Sequence, residues 1–162
     1  GIVGKGKFEY NTEFKSNVLV DGKVTNSNGN VEEGKFKYNT KIKKMVLVEG
    51  KATINGIVRK GKFEYNTEFK SNVLVVGKVT NSDGVSGEGK HEYNTELDEM
   101  VFVKGTKTFP NGDVHEGEFE YNSALNEIVL VEGTKKLSNG QVETGIFEYN
   151  TELKKMVLVS EK

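Results

Sequence analysis

The sequence predicts an all-β protein: an elongated, twisted antiparallel β-meander of about six hairpins. Three observations carry that prediction. Tyr10, Tyr38, Tyr65, Tyr93, Tyr121 and Tyr149 recur at spacings of 28, 27, 28, 28 and 28 residues. Stretches such as Gly117-Glu118-Phe119-Glu120-Tyr121 alternate with period two, the signature of a strand with two different faces. Five of the units close on Asn-Gly or Asp-Gly, a strong short-range hairpin signal.

Each repeat opens on a strand. Phe8, Phe36, Phe63, His91, Phe119 and Phe147 stand two residues before the tyrosines, and Gly6, Gly34, Gly61, Gly89, Gly117 and Gly145 two before those. Gly, Phe and Tyr are expected to share one face, with Glu118 and Glu120 on the other. A polar loop follows, holding one apolar residue: Phe14, Ile42, Phe69, Leu97, Leu125 or Leu153. Next comes a second apolar strand such as Ile128-Val129-Leu130-Val131, then Gly22, Gly50, Gly77, Gly105 or Gly133. Here Val129, Val131 and Gly133 form one alternating set, with Leu130 and Glu132 opposite. The strand glycines are expected to leave room for rings such as Phe119 or Tyr121. Phe and Tyr are expected to stack in ladders, partly covered by loop residues such as Leu125.

The turns are Asn28-Gly29, Asn55-Gly56, Asp83-Gly84, Asn111-Gly112 and Asn139-Gly140. Asn-Gly suits a tight turn whose two central residues have positive φ. Gly50 lies five residues before Asn55, whereas Gly105 lies six before Asn111, so one residue is lost just before that turn. The loss shortens a connection and leaves the strand pattern intact.

The units run approximately 1–28, 29–55, 56–83, 84–111, 112–139 and 140–162, and are expected to form a single tandem-repeat domain. Residues 1–29 and 56–84 differ only at Gly4/Arg59, Asp21/Val76 and Asn28/Asp83, the mark of a duplicated two-repeat block. The chain starts and stops within a repeat, so it is expected to be a segment of a longer array or to be closed by partial end units.

Composition narrows the chemistry. Lys and Arg number 23 against 24 Asp and Glu, giving a net charge of -1. That balance leaves no electrostatic footprint for nucleic acid and no bulk attraction to anionic membranes. Absence of cysteine excludes disulfides, thiolate metal sites and a Cys nucleophile. No apolar run approaches the roughly 20 residues that a membrane-spanning helix needs. Cytoplasm and cell surface both remain open, with a cytoplasmic or cytoskeletal setting slightly favoured.

Residues 105–119, Gly-Thr-Lys-Thr-Phe-Pro-Asn-Gly-Asp-Val-His-Glu-Gly-Glu-Phe, resemble a MORN repeat. The Asn111-Gly112-Asp113 turn and Glu116-Gly117-Glu118-Phe119 match best. The resemblance covers all six units, each longer than the family's usual unit, with the extra residues in the Tyr-Asn-Thr-Glu loop. His115 stands where the family has Tyr, Phe119 where it has Trp, and the family's His-Gly pair is absent. The resemblance implies hairpin arrays serving as protein scaffolds, sometimes at membranes, without activity of their own.

No residue set marks an enzyme. His91 and His115 lie 24 residues apart, and no carboxylate recurs with either at metal-ligand spacing. No unit offers a distinctive nucleophile for a Ser-His-Asp site. Glu118, Glu120 and Glu148 recur at alternating strand positions, as on a solvated face. Gly4-Lys5-Gly6-Lys7 lacks the strand–loop–helix context of a phosphate loop. The expectation is therefore a non-catalytic scaffold with no cofactor and no metal. It would bind a protein partner or a second copy of itself through its edge strands. A membrane-lipid or carbohydrate surface, using loop lysines and exposed tyrosines, is the alternative. The candidate surface is the charge-varied loops: basic at Lys41, Lys43 and Lys44, acidic at Glu96, Asp98 and Glu99, and basic again at Lys154 and Lys155.

Overall fold

A computed structural model describes residues 2–161 of the chain. Among the described residues it is all-β, with twelve antiparallel strands in meander order and no helix. The chain divides into two compact units, residues 1–79 and 80–162. The first holds β1 (Val3–Asn11), β2 (Ser16–Thr25), β3 (Val31–Asn39), β4 (Lys44–Ile54), β5 (Ile57–Asn66) and β6 (Ser71–Thr80), which ends at the boundary. The second holds β7 (Ser86–Asn94), β8 (Glu99–Thr108), β9 (Val114–Asn122), β10 (Glu127–Lys136), β11 (Val142–Asn150) and β12 (Lys155–Glu161).

The two strands of a hairpin pair along their whole length, as β3 and β4 do from Val31↔Thr53 to Asn39↔Lys44. Neighbouring hairpins pair only over the half nearer the Asn-Gly turn. Strands β2 and β3 join over Asp21–Thr25 and Val31–Lys35, and β10 and β11 over Glu132–Lys136 and Val142–Ile146. The Phe-Glu-Tyr-Asn half of each hairpin is thus a two-stranded arm beyond a shared ladder.

A β-bulge and a row of glycines mark the junction. Phe119 pairs with Leu130 and Glu118 with Glu132, so Val131 is an extra residue. Val20, Val48, Val103 and Val159 are skipped in the same way in their own hairpins. The extra residue corrects the expected alternation. It reverses the parity of the strand, so Leu130 faces the same side as Phe119 instead of lying opposite the core.

The glycines have a different cause from the one expected. Gly117 pairs with Gly133 in its own hairpin and with Gly105 across the shared ladder. Both Gly117 and Gly133 have φ near +145° (146° and 144°), where side chains are strained. A Cβ added at Gly117 would lie 2.8 Å from the Gly133 Cα and still closer to the Glu132 carbonyl oxygen. Close approach of two backbones, not room for a ring, excludes every other residue.

The turns divide into two kinds. Asn55 and Gly56 both have positive φ (51° and 79°), and Ile54 pairs with Ile57, giving the predicted two-residue turn. Elsewhere only the glycine is left-handed. Gly29 N donates to Asn26 O and Asn26 N to Asn30 O, both 3.0 Å, which is a three-residue loop with Gly29 at its bulge position. Loops at Gly84, Gly112 and Gly140 share that pattern. The residue missing before Asn55 therefore changes the turn type, while Gly50 still pairs with Gly61.

The core lies on the Phe/Leu face of the arms. In residues 1–79 it joins Leu19, Phe36, Leu47, Ala52, Phe63 and Leu74. In residues 80–162 it joins Phe119, Leu130 and Phe147, with Phe102, Ile128, Met156 and Leu158 packed against it. Phe rings continue the row, Phe102 and Phe119 having centroids 4.8 Å apart. The tyrosines sit outside both clusters. Tyr38, Tyr65, Tyr93, Tyr121 and Tyr149 are half-buried and Tyr10 is exposed. Phe14, from the preceding loop, packs edge-on against Tyr38 at 5.0 Å, the loop cover that the sequence predicts.

Each arm ends in a loop whose last residue is left-handed without being glycine: Lys15, Lys43, Lys70, Asp98, Asn126 and Lys154, at φ 51–54°. This conformation costs a side-chain-bearing residue about 1 kcal/mol or more. Replacing Lys70 with Gly is expected to stabilise the chain by about 0.5–1 kcal/mol net of glycine's entropy, seen as a raised urea midpoint at unchanged m-value.

Candidate functional site

The loops have one backbone and varied side chains. In each, the Asn of Tyr-Asn turns its side chain inward as a staple. Asn11 Oδ1 accepts from Glu13 N at 3.0 Å and Phe14 N at 2.9 Å, and Asn94 Oδ1 accepts from Glu96 N and Leu97 N, both 3.0 Å. Such Asx turns fix a chain reversal locally. The tyrosine hydroxyl adds a second staple where the left-handed residue can accept: Tyr121 Oη donates to Asn126 Oδ1 at 2.7 Å, and Tyr93 Oη donates to the Asp98 carboxylate. On Tyr38, desolvation, helped by Glu13, raises the phenol pKa.

All eight loop residues singled out by charge are exposed. Lys41, Lys43 and Lys44 stand together at the β3–β4 loop. Glu96, Asp98 and Glu99 stand at the β7–β8 loop, and Lys154 and Lys155 at the β11–β12 loop. Glu118, Glu120 and Glu148 are exposed, on the face away from the core. There Lys104 meets its cross-strand partner Glu118 at 3.7 Å, an exposed pair that contributes little. Gly4 to Lys7 lies within β1 and forms no loop. His91 is buried at its phenylalanine position, its ring 5.4 Å from Phe102. Among the described residues no group of three or more His, Asp or Glu is placed to hold a metal ion.

A second feature lies on the core face of residues 80–162. Lys107 on β8 pairs with His115 on β9, which pairs with Lys135 on β10, so three basic side chains form one cross-strand row. In the first unit the same row reads Val24, Glu32, Ala52 and Arg59, with Ala52 buried at 2 % exposure. Burial raises the Glu32 pKa and lowers that of Arg59. The basic row opens on a cavity of about 300 Å³, otherwise walled largely by Phe109, Leu125, Ile128, Leu130 and Met156. Glu127 and Lys155 complete its charged lining. Lys107 Nζ donates to Ile128 O at 3.1 Å and lies 5.2 Å from the centre of the Phe109 ring. Lys135 Nζ lies 4.5 Å from the centre of the Phe147 ring.

Both lysines are half-buried, and desolvation lowers their pKa values, opposed by Glu127 and Asp83 at Lys107 and by Glu143 at Lys135. His115 is pushed down to about 4, first by desolvation, then by Lys135 and Lys107, against a smaller pull from Asp113. It is therefore neutral at pH 7 in the folded chain but charges near 6.5 when unfolded. Protons then bind the unfolded state more readily, so His115 lowers stability as pH falls from 6.5 towards 4. His115→Phe is expected to reduce the fall in melting temperature between pH 7 and pH 4.5, measured by circular dichroism.

Loop charge singles out Lys155 in the sequence, and the structure places it in the lining of this cavity as well. The signal for Lys107 and Lys135 was also present. Two residues after the second glycine stand Val24, Ala52 and Val79, then Lys107 and Lys135, an apolar position turned basic. Comparison of the chain with models of known protein families finds no match, and comparison with curated proteins finds no similar sequence.

Proposed function

We propose that the chain is a non-catalytic structural or protein-interaction scaffold, built from tandem β-hairpins and assembling end to end. One observation carries this reading. Phe36, Phe63, Phe119 and Phe147 are 2–6 % exposed, whereas their counterpart Phe8, on the edge strand β1, is 50 % exposed. Beside it stand Ile2, Val3 and Tyr10, 58–76 % exposed, and a free strand edge of this kind is a template for pairing. The likeness of residues 105–119 to MORN repeats, and the meander order, support the same reading.

Light scattering across a hundredfold concentration range tests it. The expected mass rises with concentration, and Phe8→Glu or Tyr10→Glu holds the chain at one protomer. A strict monomer at the highest concentration would overturn end-to-end assembly. The second reading, a lipid or carbohydrate surface, rests on the exposed Lys41, Lys43 and Lys44 cluster. It predicts binding to anionic vesicles at low salt that Lys→Glu changes there abolish.

A further inference from the structure

We propose that the cavity headed by Lys107, His115 and Lys135 binds a small amphiphilic carboxylate. Its carboxylate sits against the two ammonium groups and its hydrocarbon body lies on Phe109, Ile128 and Met156. The scaffold reading neither needs nor assigns this site.

Three features of the cavity select that chemistry. The first is placement. Lys107 and Lys135 flank His115, one strand to each side, and each is its register partner with Cβ atoms about 4.5–5.5 Å from those of the histidine. The two lysines are thus two strands apart, roughly 10 Å between Cβ atoms, and their long side chains both line the one cavity. The second is charge. Lys107, Lys135 and Lys155 are set against Glu127 alone in the lining, leaving the cavity cationic while His115 is neutral. The third is the wall, which is mainly apolar and aromatic. A hydrated dianion loses its water shell there with little return, whereas a monoanion with a hydrocarbon body gains from both parts of the lining. At about 300 Å³ the space suits a ligand of modest size.

The contrast with the first unit adds weight. There the same positions hold Val24 and Ala52, which pack with the buried core. Lysine at two consecutive equivalents of these positions makes the cavity lining basic, at a cost in desolvation that an anion would offset.

His115 reports on occupancy. The charged groups around it are Lys107 on β8, Asp113 before β9, Lys135 and Glu127 on β10, Glu143 on β11, Lys155 on β12 and Asp83 near Lys107. Adding one carboxylate to that set favours the imidazolium, so the His115 pKa must rise from about 4 on binding.

The full chain is titrated by proton NMR with hexanoate, hexanol and inorganic phosphate in separate arms. His115→Gln identifies which of the two histidine signals belongs to the site. Hexanoate is expected to shift the His115 titration upward in a saturable way, with hexanol and phosphate leaving it in place. Lys107→Met and Lys135→Met keep the apolar stems, and each is expected to weaken hexanoate binding about tenfold or more. Circular dichroism checks that both variants are folded. Equal binding of hexanol would overturn the role of the lysines. Binding of phosphate without hexanoate would overturn the amphiphile. An unmoved His115 titration at saturating hexanoate would overturn the site, and that result would leave the scaling of mass with concentration untouched.

Discussion

Replacing Gly117 with Ala is expected to destabilise the chain by about 3 kcal/mol or more, beyond the usual range for one methyl group. The added Cβ would strike the Glu132 carbonyl and come within 2.8 Å of the Gly133 Cα. Neither neighbour can yield, because both are backbone in a paired ladder. The substitution also forces a side chain to φ near +146°, a region that costs about 1–3 kcal/mol by itself. Gly140→Ala is the control. It has φ of 90° with nothing within 4 Å of an added Cβ, so it carries conformational strain without the collision. Urea unfolding followed by circular dichroism should place Gly117→Ala well below Gly140→Ala. Equal midpoints would mean that the two backbones separate freely and that close glycine–glycine approach does not constrain the junction.

The strands, their order and their glycines were legible because each leaves a local trace. Period-two alternation marks the Phe-Glu-Tyr arms, and Asn-Gly or Asp-Gly marks each reversal between hairpins. The missing residue before Asn55 was legible as a shortened connection, and its pairing shows why it is tolerated: a two-residue turn replaces a three-residue one. The bulge was not legible. Ile128-Val129-Leu130-Val131 is apolar throughout, so nothing in it shows which valine the partner strand skips. One skipped residue exchanges the faces, and Leu130 passes from the assumed outer side to the most buried position in its unit. The glycines were seen but misexplained, since their partners are other glycines 16 residues away that only the register brings opposite.

The loop surface was legible as charge and as nothing more. Sequence identified Lys41, Lys43, Lys44 and their acidic counterparts, and the structure places them on stapled loops of constant backbone. The basic row was hidden for a different reason. Lys107, His115 and Lys135 are 8 and 20 residues apart in sequence, and only three-strand registration joins them. Comparing equivalent positions, not scanning for motifs, is the operation that exposes such a row.

Removal of the Leu130 side chain beyond Cβ should cost about 2–5 kcal/mol, and the same change at Leu47 should cost as much. Both are 1 % exposed and are the largest fully buried side chains among the described residues. Each sits opposite a phenylalanine, Phe119 or Phe36, at the last pair before the bulge. The bulge pins the register there, so the neighbours cannot slide to refill the space, which puts the cost towards the upper end. In a chain where each hairpin leans mainly on its neighbours, the loss should also stay near its origin. Amide exchange in Leu47→Ala is therefore expected to quicken most in β3 to β6, and in Leu130→Ala most in β9 to β12. Val76→Thr, at a side chain 51 % exposed, should move neither stability nor exchange by comparison. A Leu130→Ala variant that unfolds at the parent's urea concentration would show that the Phe/Leu face is not the principal source of stability. The aromatic arms would then be held by their backbone pairing alone.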